Sequence, residues 1–116
     1  MKEGEKQLIQ GNEAVGWGAL HADCKAFFGY PITPQNEITE WFAREFPQRD
    51  LVFVQSQSES ASIHMVHAAA ATGVRAITST SSPGWGLMQE GMSCLANAEL
   101  PCVVVLVQRG GPGQGT

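Results

Sequence analysis

The stretch Cys102-Val103-Val104-Val105-Leu106-Val107 decides the fold class of this chain. It is an unbroken apolar run, and four of its six residues are β-branched valines. Such runs are typical of strands that are covered on both faces, as in a sheet packed between two layers of helices. The run therefore predicts a buried strand in an α/β fold, provided that the rest of the chain supplies helices and further strands.

The chain before this run alternates between helical and strand patterns. Three shorter apolar runs predict strands at Ala26–Phe28, Leu51–Val54 and Val74–Thr78. The helical patterns and end signals predict four helices: Glu13–Cys24 with Asn12 as N-cap, a helix beginning at Pro34, Glu59–Thr72 ended by Gly73, and Leu87–Asn97. This alternation predicts a doubly wound, mainly parallel sheet with helices on both sides.

The helix after the first strand has the clearest pattern. Each proline in Gly29–Pro34 disfavours a helical conformation in the residue before it. Thr33 is therefore the predicted N-cap, with Pro34 at the first helical position. The helix carries an apolar stripe and is expected to end before Pro47; the stripe consists of Ile38, Trp41, Phe42 and Phe46.

Length and composition narrow the class of protein. With 116 residues, 43% of them apolar and 16% charged, the chain is expected to form one globular domain. A net charge of −4 with scattered basic residues argues against nucleic-acid binding, and no apolar run is long enough to cross a membrane. Three cysteines without a CxxC pair, and an N-terminus without the apolar core of a signal peptide, predict a reduced cytoplasmic protein that lacks disulfides.

The loops that follow the four predicted strands contain the unusual residues of the chain. They are residues 29–34, 55–58, 79–84 and 108–116, and they are rich in Gly, Pro, Ser and Thr. The carboxyl ends of parallel strands meet at one edge of the sheet, where ligands of such folds bind. The sequence therefore predicts a binding cleft at this edge.

Several familiar motifs are excluded or weak. The stretch 110–116 begins like a phosphate-binding loop, but Thr116 stands where that motif requires lysine. His64 and His67 lie three residues apart on a helix, but no further ligands complete a zinc site, so no metal site is predicted. The serines in 79–82 lack the surroundings of a nucleophile and suit the binding of a polar or anionic group.

Glu59 and Arg109 are the candidate charged residues of the cleft. Glu59 follows a strand and begins a helix, where the helix dipole alone would favour an acidic residue. Arg109 stands at the end of the strand Cys102–Val107, separated from it only by Gln108, where it could bind a carboxylate or form a surface ion pair. The patterns alone leave both alternatives open for each residue.

Five motifs in order carry a resemblance to a known family. They are Gly11-Asn12-Glu13-Ala14, Gly29-Tyr30-Pro31-Ile32-Thr33-Pro34, Gln57-Ser58-Glu59, Ser79-Thr80-Ser81-Ser82-Pro83-Gly84 and Gln108-Arg109-Gly110-Gly111-Pro112-Gly113. Together they resemble the N-terminal part of the alpha chain of 2-oxoacid:ferredoxin oxidoreductases, nearest the 2-oxoisovalerate and 2-oxoglutarate types. The resemblance extends from Gly11 to Thr116.

The resemblance implies a thiamine diphosphate enzyme of anaerobic metabolism, with residues 1–116 as a pyrimidine-binding domain that is truncated at its C-terminal end. It implies oxidative decarboxylation of a 2-oxo acid to acyl-coenzyme A, with electrons passed to ferredoxin. The diphosphate and its magnesium would be held by a beta subunit. The iron–sulfur clusters would lie on partner chains, among them gamma and ferredoxin-like subunits, so this chain would be inactive alone.

The resemblance also assigns roles to residues. Glu59 matches the glutamate that contacts the aminopyrimidine ring of the cofactor. Thr33 and Arg109 match residues at the substrate, the arginine pairing with its carboxylate. Tyr30, Pro31, Ser81 and Ser82 fall on the cofactor side of the same loops. Two other functions remain open from the residues themselves: an α/β module that binds an anionic metabolite without catalysis, and a truncated fragment that pairs with a partner chain.

Overall fold

The computed structural model describes residues 3–110, which form ten helices and strands. The helices are α1 (Gly11–His21), α2 (Asn36–Glu45), α3 (Glu59–Ala71), α4 (Ser82–Leu87) and α5 (Gln89–Asn97), with a short 3₁₀ turn at Pro47–Arg49. The strands are β1 (Ala26–Gly29), β2 (Val52–Gln55), β3 (Ala76–Thr80) and β4 (Val103–Leu106). The alternation expected from the sequence is confirmed.

The four strands form one parallel sheet in the order β2-β1-β3-β4. The chain moves from β1 outward to β2, and then crosses back over β1 through α3 to form β3. The winding direction therefore reverses between β1 and β3. In open α/β sheets, ligands bind beyond the carboxyl ends of the strands at such a reversal.

Helices cover both faces of this sheet, as predicted for a doubly wound fold. On one face, α1 and α2 pack on alternate strand residues: Phe27, Phe53, Ile77 and Val105. On the other face, α3 and α5 pack on the residues between them, which include Ala26, Ala76 and Val104. This alternation is the two-residue period of a strand, and it makes the sheet the middle layer of three.

An aromatic cluster forms the core under α1 and α2. Phe27 stacks between Phe42 and Phe53, with ring centroids 4.4 and 5.7 Å away. The predicted stripe of α2 is buried completely, and α2 ends before Pro47 as expected. These large rings fix α2 against β1, so the loop between the two elements starts and ends on rigid supports.

The predicted helix starts were wrong in two places. Asn12 does not cap α1, because Gln10 is the N-cap residue of that helix. The Asn12 side chain instead donates to the Pro34 carbonyl (2.9 Å) and so joins α1 to the start of α2. Thr33 does not cap α2, which begins at Asn36. Residues 32–35 form a turn instead, closed by a bond from the Gln35 N–H to the Ile32 carbonyl (3.0 Å), and the Thr33 hydroxyl accepts a hydrogen bond from elsewhere.

The sheet edges and one loop also differ from expectation. The β4 run contacts helices on both faces, but it is an edge strand among the described residues, so Val103 is 56% exposed. The strand at 51–54 is likewise an edge strand and only partly buried, with Val52 at 48%. The predicted turn at 79–84 is the end of β3 followed by the first turn of α4, because Pro83 occupies an early helical position.

Candidate active site

The loop after β1, the start of α3, the start of α4 and the residues after β4 meet at the carboxyl edge of the sheet. The β1 and β3 strands end there side by side, at the reversal of winding direction. The central strand β3 is buried throughout, yet it ends in three polar residues: Thr78, Ser79 and Thr80. A fully buried strand that ends in hydroxyl groups is unusual, because buried polar groups need hydrogen-bond partners.

Arg109 and Thr33 are brought into contact across 76 positions of sequence. The Arg109 Nη1 atom donates a hydrogen bond to the Thr33 hydroxyl oxygen, at 3.2 Å. The Arg109 backbone is held by Ser82, whose hydroxyl donates to the Arg109 carbonyl (2.8 Å) and accepts from its N–H (3.3 Å). The half-buried guanidinium makes no ion pair with any described acid, and its Nε is buried without a partner. The Arg109 guanidinium group is thus available to bind an anion.

Glu59 is held at the first position of α3 by a network of serines. The Ser58 hydroxyl caps the helix by accepting from the Ala61 N–H at 3.0 Å. The buried Ser56 and Ser62 hydroxyls lie 2.5 Å apart, and both bond to the Ser58 carbonyl. The connection from β2 to α3 is therefore fixed on both sides of the helix start, and Glu59 inherits its position.

The Glu59 side chain is buried but has no protein partner among the described residues. It is 8% exposed and makes no hydrogen bond or ion pair there. Gly84 in α4 lies against it: a Cβ built on Gly84 would stand 2.8 Å from Glu59 Cγ and would overlap the Thr80 side chain. The absence of a side chain at position 84 therefore allows α4 to cover the Glu59 stem.

The other predicted residues take different positions at this edge. Ser81 is completely buried, and its hydroxyl has no hydrogen-bond partner among the described atoms. Tyr30 is half-buried and contributes its carbonyl to a hydrogen bond from Gln35. Pro31 is exposed and lines a cavity of about 300 Å³ that also contacts Asn36 and Gln55. All of these roles remain predictions.

Sequence reasoning missed Gln35, which is fully buried next to the loop after β1. Its side chain bonds to Tyr30, Thr39 and Ser79, which belong to three different elements. Its position three residues before Ile38, in line with the apolar stripe of α2, is the one signal that could have pointed to it.

The rest of the described chain offers no competing site of equal chemistry. A second cavity, of about 240 Å³, lies at the opposite edge of the sheet and is almost entirely apolar. Burial raises the pKa of the thiols of Cys24 and Cys102 in its wall, which keeps them protonated and poorly nucleophilic near neutral pH. Within residues 3–110, no group of three or more His, Cys, Asp or Glu could hold a metal ion, and no helix is long and apolar enough to cross a membrane.

The loops at this edge of the sheet lie in a segment that matches a known protein family. The sequence profile of the family described as pyruvate flavodoxin/ferredoxin oxidoreductase, thiamine diphosphate-binding, matches residues 17–116. The chain belongs to this family. The match includes the segments that supply Thr33, Glu59 and Arg109.

Individual relatives agree with the family assignment. The chain is 53% identical to the ketoisovalerate oxidoreductase subunit VorB of Methanothermobacter thermautotrophicus and 47% identical to the 2-oxoglutarate synthase subunit KorA of Methanocaldococcus jannaschii. Each alignment covers 94% of this chain, but only 31% of VorB and 30% of KorA. The chain thus spans about a third of the length of these relatives.

A solved structure shows the same fold. The 2-oxoglutarate:ferredoxin oxidoreductase of Magnetococcus marinus, with 2-oxoglutarate, coenzyme A and succinyl-CoA bound, matches with a TM-score of 0.89 and 41% sequence identity. The match covers 92% of this chain and 19% of that one. The α/β fold predicted from the sequence is therefore the fold of this part of a 2-oxoacid:ferredoxin oxidoreductase.

Proposed function

We propose that this chain is the pyrimidine-binding part of a thiamine diphosphate enzyme that oxidatively decarboxylates a 2-oxo acid. The products are an acyl-coenzyme A and carbon dioxide, and the electrons pass to ferredoxin. The observation that carries the proposal is the contact between Arg109 and Thr33, 3.2 Å apart, at the reversal point of the sheet. An arginine fork without an acidic partner beside a threonine hydroxyl suits a substrate carboxylate.

The residues present fit the ring end of thiamine diphosphate. When bound, this cofactor supplies the carbanion chemistry that removes the carboxylate of a 2-oxo acid. Glu59 has what its proposed role requires, because the residue is only 8% exposed, stands at a capped helix start and has no other partner among the described residues. It would share a proton with the N1′ atom of the aminopyrimidine ring. The buried, unpaired hydroxyl of Ser81 is available to a polar atom of the same ligand.

The substrate end of the site would be formed by Arg109 and Thr33. Arg109 would pair with the carboxylate through two parallel N–H bonds, for which a planar guanidinium is better suited than an ammonium. Thr33 would orient the fork and donate its own hydroxyl proton to the substrate. Tyr30, Pro31 and Ser82 would complete the wall, since they belong to the loops that carry Thr33 and anchor Arg109.

The remaining functions belong to partners in this proposal. A beta subunit would hold the diphosphate and its magnesium, and gamma and ferredoxin-like subunits would carry the iron–sulfur clusters. Ferredoxin and coenzyme A would be the co-substrates. The three free cysteines suit a reducing, cytoplasmic setting, as expected for electron transfer at low potential in anaerobic metabolism.

Replacing the proposed clamp tests the function. In the assembled enzyme, Arg109→Lys keeps the charge but loses the fork, so we expect kcat/KM for the 2-oxo acid to fall by about 2 kcal/mol, or roughly 30-fold, mainly through KM. Affinity for thiamine diphosphate is expected to change little. Arg44→Lys, on the exposed side of α2, is the matched control. An unchanged KM in Arg109→Lys would assign Arg109 a structural role, and a colourless, monomeric protein without activity would favour a binding module.

A further inference from the structure

Gln35 is a fully buried amide at the N-cap position of α2, next to the loop that carries Thr33. Its Nε2 donates to the Tyr30 carbonyl at 3.1 Å. Its Oε1 accepts from the Thr39 hydroxyl at 3.0 Å and from the Ser79 hydroxyl by a short hydrogen bond. One side chain thus joins the loop after β1, the first turns of α2 and the end of the central strand β3.

The partners of Gln35 require a neutral amide. The Tyr30 carbonyl can only accept, so the atom facing it must carry a proton. The two hydroxyls can both donate, so the other atom is best an acceptor. An ionised glutamate would place two acceptors face to face at Tyr30, and an apolar residue would leave the carbonyl without this bond. Glutamine satisfies all three partners at this position, which explains a fully buried polar side chain at the start of α2.

Gln35 also holds the segment just before Thr33 at two points. Its side chain holds the Tyr30 carbonyl, and its backbone N–H holds the Ile32 carbonyl at 3.0 Å. The loop that carries Thr33 is therefore fastened at two points by one residue. We propose that Gln35 is a positioning residue for the 2-oxo acid, which sets the distance between Thr33 and Arg109; this inference rests on the proposed function.

The connection from Gln35 to Arg109 passes through the sheet. Ser79, which bonds to Gln35, pairs in register with Val105 of β4. The next residue, Thr80, accepts through its carbonyl from the Val107 N–H at 2.9 Å, two positions before Arg109. Loop, glutamine, β3 and β4 thus form one continuous hydrogen-bonded path from Thr33 to Arg109. Removing the Gln35 side chain, the central link of this path, allows the loop that carries Thr33 to shift while Arg109 stays in place. Small misplacements of groups that bind the substrate lower the efficiency of an enzyme.

The test compares two variants that break the path with one that does not. Gln35→Met removes the amide with little change of volume, and Ser79→Ala removes only the hydroxyl at the β3 end. Thr39→Val is the matched control, because it removes a buried hydrogen bond to the same oxygen but leaves the loop tied to β3. In the assembled enzyme, we expect KM for the 2-oxo acid to rise roughly tenfold in the first two variants, with kcat within about threefold of wild type.

A second measurement is independent of activity. The backbone amide of residue 35 donates to the Ile32 carbonyl and so closes the turn that contains Thr33. Its hydrogen–deuterium exchange is expected to accelerate at least fivefold in Gln35→Met and Ser79→Ala, and to stay within twofold of wild type in Thr39→Val. Equal changes in all three variants would overturn the inference, because loss of stability alone would then explain them. Unchanged KM and exchange in Gln35→Met would overturn it as well.

The two proposals fail in different ways. If the wild-type enzyme does not reduce ferredoxin when given 2-oxoisovalerate, 2-oxoglutarate or pyruvate with coenzyme A, the proposed function is wrong and the positioning of a 2-oxo acid falls with it. If the wild type is active but KM stays unchanged in Gln35→Met and Ser79→Ala, only the role of Gln35 is wrong.

Discussion

Glu59 is the residue on which the proposed chemistry depends most directly. The residue is 8% exposed and has no partner among the described residues, and its neighbours in the chain are serines. No adjacent acid could therefore replace it. Glu59→Gln keeps the size of the side chain but removes its ability to exchange a proton with the aminopyrimidine ring.

We expect proton–deuterium exchange at the cofactor C2 atom to slow by about 10²-fold in Glu59→Gln, the usual scale for losing an acid–base partner. NMR of the assembled, cofactor-loaded complex measures this step. Glu90→Gln, on the exposed side of α5, is the control for the loss of one carboxylate. Exchange at the wild-type rate in Glu59→Gln would leave Glu59 as a residue that only stabilises the N-terminus of α3.

Among single residues, the sequence identifies charged candidates for the site more readily than neutral ones. Arg109 and Glu59 stand in or just after the short loops that follow strands, and a parallel sheet brings such positions to one edge whatever the details of packing. Gln35 could not be assigned a partner, because its three hydrogen bonds join residues up to 44 positions away. Thr33 lies in the loop after β1, and its hydroxyl bonds to Arg109 rather than capping α2, because the path of residues 32–35 directs it away from the helix start.

Among the elements, the short helix α4 connects the two ends of the site. Ser82 in its first turn anchors Arg109, and Gly84 packs against Glu59 and Thr80. The same six-residue helix therefore contacts Arg109, which is proposed to bind the substrate carboxylate, and Glu59, which is proposed to exchange a proton with the cofactor. Close packing of α4 on β3 is possible only because position 84 has no side chain.

This packing predicts different effects for two glycines of α4. Gly84→Ala is expected to lower the free energy of unfolding by about 1–3 kcal/mol, because its Cβ would overlap Thr80 and approach Glu59 Cγ to 2.8 Å. Gly86→Ala is the matched control, since a Cβ there meets nothing within 4 Å. It is expected to be neutral or stabilising by up to about 1 kcal/mol. Urea unfolding followed by circular dichroism measures both, and equal stabilities would show that α4 does not pack closely.

The sequence predicts most elements but not the boundaries of those at the site. The helices α2 and α3 lie close to their predicted bounds for different local reasons: α2 has an apolar stripe that becomes buried, and α3 begins after Ser58, whose hydroxyl caps it. The serines, proline and glycine of the stretch 79–84 are all turn formers, so its sequence predicts a turn. Its actual conformation depends on β3 pairing with β4 and on Gly84 meeting Glu59, which are contacts across the fold.

For the whole molecule, the edge of the sheet presents groups suited to one end of the cofactor. Glu59 and the serine hydroxyls fit a planar ring with polar atoms, and Arg109 fits a carboxylate. A diphosphate with magnesium needs a set of oxygen ligands around the ion. Within residues 3–110, no cluster of three or more His, Cys, Asp or Glu offers such a set. The 94% of this chain that aligns with VorB and KorA corresponds to about 30% of each relative, so the proposed enzyme has more protein to supply these ligands.

We therefore expect the isolated chain to bind thiamine diphosphate only weakly, with a dissociation constant in the millimolar range, which corresponds to about 4 kcal/mol of binding free energy. Adding magnesium is expected to change this affinity less than threefold, because the groups that would hold the ion lie on the partner. Isothermal titration calorimetry of the chain alone, and then of the chain with a beta subunit, measures both quantities.

With the partner, affinity for thiamine diphosphate is expected to become micromolar or better and magnesium-dependent, since the two halves of the site then act on one ligand. Glu59→Gln in the two-chain complex is the internal control: it should lower affinity modestly, while leaving the magnesium dependence intact. Tight, magnesium-dependent binding by the chain alone would contradict a site divided between two chains, and it would place the diphosphate on residues of this chain.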